Sequence, residues 1–324
     1  MRVKLNKSRD DLLAYVAELY YDQKWTQADI AKEVGVTHSM VSRMLTEARE
    51  KKFVEIIVHR PLSNDVALMQ QFQQIFDVQD VKIVHQTFEN DPRGRERIGC
   101  AAADQLASLL MPRSVLGLVW GTTVADVVKN LVKKDLHAYA VDVVQLVGAI
   151  ASRDYAYCGL ELVRSAARTL GGTPYYLNSP FYLESAEMVE NLSRNKIVHE
   201  PISMMQKCHY ALVGVGSLSD DLASFYLSGD ITAQELDSIR QTGAIGSVCG
   251  LHFDIKGNQV ARQFSDRTVT IQHDDLDRIP VRMGVAYGIG KAQPIVGALR
   301  GKFITHLVTD SFTAQEVLRL AETD

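Results

Sequence analysis

The sequence predicts an α/β protein: an N-terminal winged helix-turn-helix head joined to a larger doubly wound α/β body. Two observations carry this. Residues Thr26 to Arg43 read as two short amphipathic helices broken by a glycine, and from Asp80 onward aliphatic runs alternate with helical periodicity. With 324 residues the chain is too long for one small domain. It fits a head of about 60 residues and a body of about 250.

The head is read first. Leu12, Leu13, Val16, Leu19 and Tyr20 recur with helical period and predict its first helix. Thr26 is a good N-cap for a second helix running to Val34, with Ile30, Ala31 and Val34 on one face. Gly35 supplies a turn that needs positive φ, Val36 packs beneath it, and Thr37 caps a third helix. Val41, Met44, Leu45 and Ala48 would form the inner face of that helix, leaving His38, Ser39, Ser42, Arg43 and Thr46 outside. Short polar and cationic side chains on the N-terminal half of such a helix are what a helix-turn-helix offers to base edges and phosphates. The candidate contacts to double-stranded DNA are Gln27, Thr37, His38, Ser39, Ser42 and Arg43. The alternative is a plain αα-hairpin; the agreement of small residue, glycine and apolar positions favours the DNA-binding unit. Val54-Glu55-Ile56-Ile57-Val58 is a β-rich run suited to a wing. Residues 1–60 hold 11 Lys and Arg against 9 Asp and Glu, so phosphate affinity from one copy is modest and an oligomer is expected.

Composition narrows the class. A hydrophobic share of 46% with 23% charged residues excludes a disordered or fibrous chain. No run of about 18 apolar residues is available to span a bilayer. The N-terminal MRVKLNKSRDD has charge without the apolar core of a signal peptide, so a cytoplasmic protein is expected. Cys100, Cys158, Cys208 and Cys249 stand far apart with no CxxC, which predicts buried free thiols and neither disulfides nor a metal site. A net charge of −4 argues against a chain coated in basic charge and confines DNA contact to the head.

His59-Arg60-Pro61-Leu62-Ser63-Asn64-Asp65 marks the boundary, which divides the chain into a head (1–60), a linker helix (61–78) and a body (79–324). The linker helix carries Val66, Met69, Phe72, Gln73 and Phe76 at helical spacing; periodicity alone fits equally a helix packed on the body and one that pairs with a second subunit. In the body, strands are predicted at Val81–Val84, Val115–Trp120, Val141–Val147, Ala211–Val215, Val281–Ala286 and Ile304–Thr309. Helices are predicted at 94–110, Val124–Lys133, near 159–170, after Lys291, and from Thr313. Continuous β-branched strands separated by helices mean a mostly parallel sheet covered on both faces.

Ligands of such sheets sit beyond the carboxyl ends of the strands. Three small-residue turns fall there: Gly121-Thr122-Thr123, Gly148, and Gly214-Val215-Gly216-Ser217. The first joins strand to helix, so its N–H groups and hydroxyls converge on one spot with a helix dipole behind them, which suits a phosphate. A merely capped helix start is the plainer reading. Lys291, at a helix start after Gly288 and Gly290, opposes the dipole and is unfavourable there unless an anion is bound. Together the two turns suggest a shared anion site. No HExxH and no tight His/Asp/Glu set exists, so no catalytic residue is assigned and no cofactor is expected. Gly214-Val215-Gly216 lacks the third glycine of a dinucleotide fingerprint, and the acidic run after His273 reads as a solvated loop.

The helix-turn-helix, Val119-Trp120-Gly121-Thr122-Thr123, Val144-Gln145-Leu146 before Gly148, Leu212 to Ser217, Gly243-Ala244-Ile245-Gly246, Phe253-Asp254, Gly257 and Lys291 stand in order. As an ordered set spanning almost the whole chain they resemble the SorC family of bacterial sugar-responsive transcriptional regulators. The resemblance implies a body related to the sugar-phosphate isomerase/deaminase fold that binds a phosphorylated sugar without turning it over, in a tetramer. It implies a phosphate-cradling role for Gly121, Thr122 and Thr123 and an effector-binding role for Lys291. The sugar end of the effector is expected near Gly148, Gly216 and Ser247. Two departures matter. Ser247 stands where members often have an aspartate that contacts the sugar. Val147 stands where a deoxyribose-phosphate-responsive member has an imine-forming lysine, which argues against covalent capture here. The expected function is regulation of a carbohydrate-utilisation operon. The alternatives are a sugar-phosphate isomerase or deaminase fused to a DNA-binding head, and a regulator of an unphosphorylated signal.

Overall fold

Two separate hydrophobic cores divide the chain into Met1–Pro61 and Leu62–Asp324. A computed structural model describes residues 8–54, 64–89, 91–150 and 158–322. In the first unit, α1 (Arg9–Tyr21), α2 (Gln27–Val34) and α3 (His38–Glu50) form the described elements. Both threonine caps form: Thr26 Oγ1 accepts from the Asp29 N–H and Thr37 Oγ1 from the Met40 N–H. Gly35 sits at φ +74°, so the chain turns there at little cost. Leu13, Val16, Ile30, Val41, Met44, Leu45 and Ala48 close the core, each large side chain contributing about 1.5–3 kcal/mol of burial. Arg9 to Glu47 and Lys51 to Asp10 tie α1 to α3 across exposed surface, which adds little. The expected wing lies outside the described residues from position 55 onward.

The second unit begins with α4 (Val66–Ile75), β1 (Asp80–Val84), α5 (Gly94–Leu109), β2 (Val115–Leu118), α6 (Thr122–Leu131), β3 (Val141–Gln145), α7 (Gly159–Leu170) and β4 (Gly171–Tyr175). It continues through α8 (Ala186–Ser193), α9 (Lys196–Met205), β5 (Tyr210–Gly214), β6 (Gly216–Ser217), α10 (Ser224–Leu227), α11 (Ala233–Gln241), β7 (Gly246–Val248) and β8 (Leu251–Phe253). It ends with α12 (Arg262–Ser265), α13 (His273–Asp277), β9 (Val281–Val285), a 3₁₀ turn (Ile289–Lys291), α14 (Ala292–Arg300), β10 (His306–Asp310) and α15 (Ser311–Glu322).

Seven strands form one parallel sheet in the order β1-β10-β9-β5-β2-β3-β4, and β6-β7-β8 form a small antiparallel sheet. Every residue of β2 and β10 is buried. Successive side chains point to opposite faces, so full burial means both faces are covered. The expected linker helix is α4. Phe72 and Phe76 enter the body core with ring centroids 5.6 Å apart, while Val66 and Gln73 face outward. Packing on the body accounts for Phe72 and Phe76, while Val66 and Ile75 stay exposed.

Several boundaries move. α6 begins two residues before the expected Val124, so Thr122 and Thr123 lie inside its first turn and Gly121 becomes the N-cap. α15 begins at Ser311 because Asp310 Oδ1 accepts from the Thr313 N–H at 2.9 Å. The acidic run read as a loop is helix α13, with Asp275 paired to Arg278. All four cysteines are free, but Cys100 and Cys158 are only half-buried, which corrects the expectation that all would be buried.

Candidate functional site

The chain lays β2, β3 and β4 outward in one direction and β5, β9 and β10 in the other, so the strand order reverses between β2 and β5. Loops leaving two strands that part in this way open a crevice. Here it is a cavity of about 400 Å³, lined by Gly121, Thr122 and Thr123 after β2, Gly214 to Ser217 after β5, Ser247 on β7, and Lys291. Six of the seven predicted effector residues thus meet in one place. Gly148 does not. It is buried beside the 180–181 backbone, and a Cβ on it would come within 2.5 Å of the Pro180 carbonyl oxygen. Its role is to let that segment pass close enough for Phe181 to reach the cavity wall.

The start of α6 presents backbone to this cavity. Gly121 holds φ +136° and ψ 156°, and no side chain caps α6. The N–H groups of the first turn have no intrahelical partner, and the helix dipole adds partial positive charge there. This uncapped start removes the plainer reading of two threonines as caps. Lys291 is the N-cap of α14, also without a side-chain cap. Burial pushes its ammonium down to about 8, and the charge of Asp221 acts in the opposite direction. The turn that presents it is anchored from below: the Gly288 N–H donates to Asp310 Oδ2 at 3.1 Å, and Asp310 is itself buried.

Around this cradle runs an aromatic group that sequence reasoning missed. Phe181 and Phe225 stack at 4.7 Å with planes 3° apart, and Trp120 stands edge-on to both, 6.2 and 5.4 Å away. Trp120 precedes Gly121 at the start of α6, and that adjacency was a usable signal. Phe225 comes from the four-residue α10, too short to show periodicity. Val147 and Cys249 complete the apolar wall. Burial pushes the Cys249 thiol up, so it lines the cavity as an uncharged group. Among the described residues no group of three or more His, Cys, Asp or Glu side chains could hold a metal.

In the first unit, His38, Ser39, Ser42 and Arg43 are exposed on α3, and Arg43 makes no ion pair among the described residues. Gln27 is half-buried. The Thr37 hydroxyl is held by its capping bond and by Ser39 Oγ at 3.0 Å, so it is less available than the others. No helix among the described residues is long and apolar enough to cross a membrane.

A three-helix head with an exposed polar helix, and an α/β body whose crevice gathers an uncapped helix start and a buried lysine, fit a ligand-responsive transcriptional regulator. The Sugar-bind family, which describes a sugar-binding domain, matches residues 60–319, and the chain belongs to the SorC family of sugar-binding transcriptional regulators. It is 26% identical over 314 residues to the Deoxyribonucleoside regulator of Bacillus subtilis, covering 97% of this chain and 99% of that one. It is 28% identical over 312 residues to the transcriptional regulator LsrR of Escherichia coli, covering 96% and 95%. The crystal structure of the full-length sorbitol operon regulator SorC of Klebsiella pneumoniae superposes with a TM-score of 0.71 at 27% identity, over 95% of this chain and 99% of that one.

Proposed function

We propose that this regulator controls a carbohydrate-utilisation operon in the cytoplasm, with a phosphorylated sugar as effector and operator DNA as the partner of its head. The observation that carries the effector reading is the uncapped α6 N-terminus meeting Lys291 in one cavity. The phosphate rests on the Thr122–Val124 N–H groups, the hydroxyls of Thr122 and Thr123, and the Lys291 ammonium. The sugar lies toward Gly216 and Ser247. The head acts as a winged helix-turn-helix, and the protein works as a tetramer that places two heads on paired half-sites. Effector binding favours one arrangement of the subunits, and operator affinity follows from that differential affinity alone. The protein acts without turnover.

Affinity for a sugar phosphate should be greatest between about pH 6 and pH 8. A phosphate monoester becomes a dianion above about pH 6. Above the Lys291 value of about 8 the free protein loses the proton the ligand needs, and affinity should fall about tenfold per pH unit. Calorimetric titration of the full-length protein from pH 5 to 9.5 checks both limbs; a flat profile through pH 9 would remove Lys291 from the site.

Arg43→Ala is expected to weaken operator binding by about tenfold at moderate salt and to lower the salt slope by about 1. Fluorescence anisotropy with an operator fragment at several salt concentrations measures both quantities. Unchanged affinity and slope would assign the outer face of α3 to another role.

A further inference from the structure

The cavity is far less polar than a site for a polyhydroxylated ligand needs to be. Once the cradle groups Thr122, Thr123 and Lys291 are set aside, most of its wall is carbon and sulfur: Trp120, Val147, Val215, Phe181, Phe225 and Cys249. The polar atoms that remain are mostly engaged. The Ser217 hydroxyl is bonded to Ser219 Oγ, the Tyr287 hydroxyl donates to the Asp91 carbonyl, and Arg95 is paired with Asp126. Asp221 is exposed, and its charge acts on Lys291. Ser224 is exposed on α10. Two lining side chains keep polar atoms without a hydrogen-bond partner inside the wall: the indole Nε1–H of Trp120 is buried and unpaired, and Ser247, on the β7 strand beside Gly216, is buried with no side-chain hydrogen bond among the described residues. Its Oγ stands over Gly216 closely enough that a Cβ there would come within 2.8 Å.

Each hydroxyl beyond those that Ser247 and the Trp120 indole can pair loses its water and finds no partner in such a wall, which costs affinity. Open-chain polyols present hydroxyls in every direction and suffer most. A ring gathers its C–H bonds into apolar faces that fit an aromatic wall. We infer that the effector is a phosphate monoester with a hydroxyl-poor carbon body, ring-closed or deoxygenated, that lies against Trp120 and Phe181, donates one hydrogen bond to Ser247 and accepts one from the Trp120 indole N–H. This rests on the phosphate-cradle reading above and narrows it.

Three six-carbon phosphate esters, with inorganic phosphate as the reference, test it by calorimetry on the full-length protein. 2-Deoxyglucose 6-phosphate is expected to bind about tenfold more tightly than glucose 6-phosphate, and glucitol 6-phosphate about tenfold more weakly than glucose 6-phosphate. Equal affinities, or tightest binding of glucitol 6-phosphate, would overturn the inference while leaving the cradle intact. Absence of binding by all three esters and by phosphate would overturn the cradle reading and the inference with it. Ser247→Asp adds an acceptor for two adjacent hydroxyls and should narrow or reverse the order of the three esters. Phe225→Ala, on the short α10, opens the apolar wall and should reduce the deoxy preference, read as the ratio of the 2-deoxyglucose 6-phosphate and glucose 6-phosphate affinities. Retention of the full preference in Phe225→Ala would place the selectivity elsewhere.

Discussion

Lys291→Met should raise the melting temperature by a few degrees and lower affinity for a sugar phosphate by about a hundredfold. Both effects come from the same burial. The Lys291 ammonium has a folded-state value of about 8 against an ordinary 10.5, and desolvation is the main cause. Between pH 8 and 10.5 the unfolded chain holds a proton that the folded one has released, so stability rises with pH through that window. Below pH 8 both states are charged, and the folded state carries the full cost of a desolvated cation. Methionine keeps the length of the side chain and removes the charge, which should add about 1 kcal/mol at neutral pH. The loss of affinity follows from removing one member of a desolvated ion pair, typically 2–5 kcal/mol. A thermal melt without ligand and a calorimetric titration with glucose 6-phosphate measure the two separately. A variant that is less stable and still binds would make Lys291 a structural residue. A gain in stability with loss of binding is the expected signature of a group held in an unfavourable place for its ligand.

The same tension explains what was legible in the sequence. Lys291 was readable because a cation at a helix start breaks a local rule, and the Gly121 turn because glycine and two threonines follow an apolar strand. The central strands were readable because both faces are buried, which forces unbroken apolar runs such as Val115–Leu118. Edge strand β4 carries no such run. It reads Gly-Gly-Thr-Pro-Tyr and is half-exposed, and Pro174 is tolerable there because an edge position does not need its N–H. The β6-β7-β8 sheet was missed because strands of two or three residues cannot display alternation. Helix α9 was hidden by Pro201 in its interior. The misplacement of Gly148 has a different cause. Its strand-end position suggested a ligand contact, whereas the true demand on it comes from the Pro180–Phe181 backbone, 32 residues further along the sequence. The aromatic group fell outside sequence reasoning for the same reason: Trp120, Phe181 and Phe225 come from three separate segments, and only the fold brings them together.

Gly121→Ala separates a backbone cradle from a cluster of hydroxyls. A methyl group at Gly121 would meet no atom within 4 Å, so the substitution introduces no clash. Its effect is torsional. At φ +136° and ψ 156° the backbone occupies a region open in practice to glycine alone, and an L-residue is strained there by about 1–3 kcal/mol. The chain can accept that strain, which lowers the melting temperature, or rotate out of it, which swings the first-turn N–H groups away from the point where they converge. If the phosphate is held chiefly by those N–H groups, a displacement of about 1 Å is costly, and Gly121→Ala should weaken glucose 6-phosphate binding by about a hundredfold. Thr122→Val keeps the backbone and removes one hydroxyl, so it should cost only about fivefold, near the net worth of one neutral hydrogen bond. The ratio of the two losses, measured by calorimetry under one set of conditions, reports the share carried by the main chain. A Gly121→Ala protein that binds as well as the parent, with Thr122→Val severely impaired, would transfer the phosphate contact from the helix N-terminus to the threonine side chain. The dipole of α6 would then play no part in recognition.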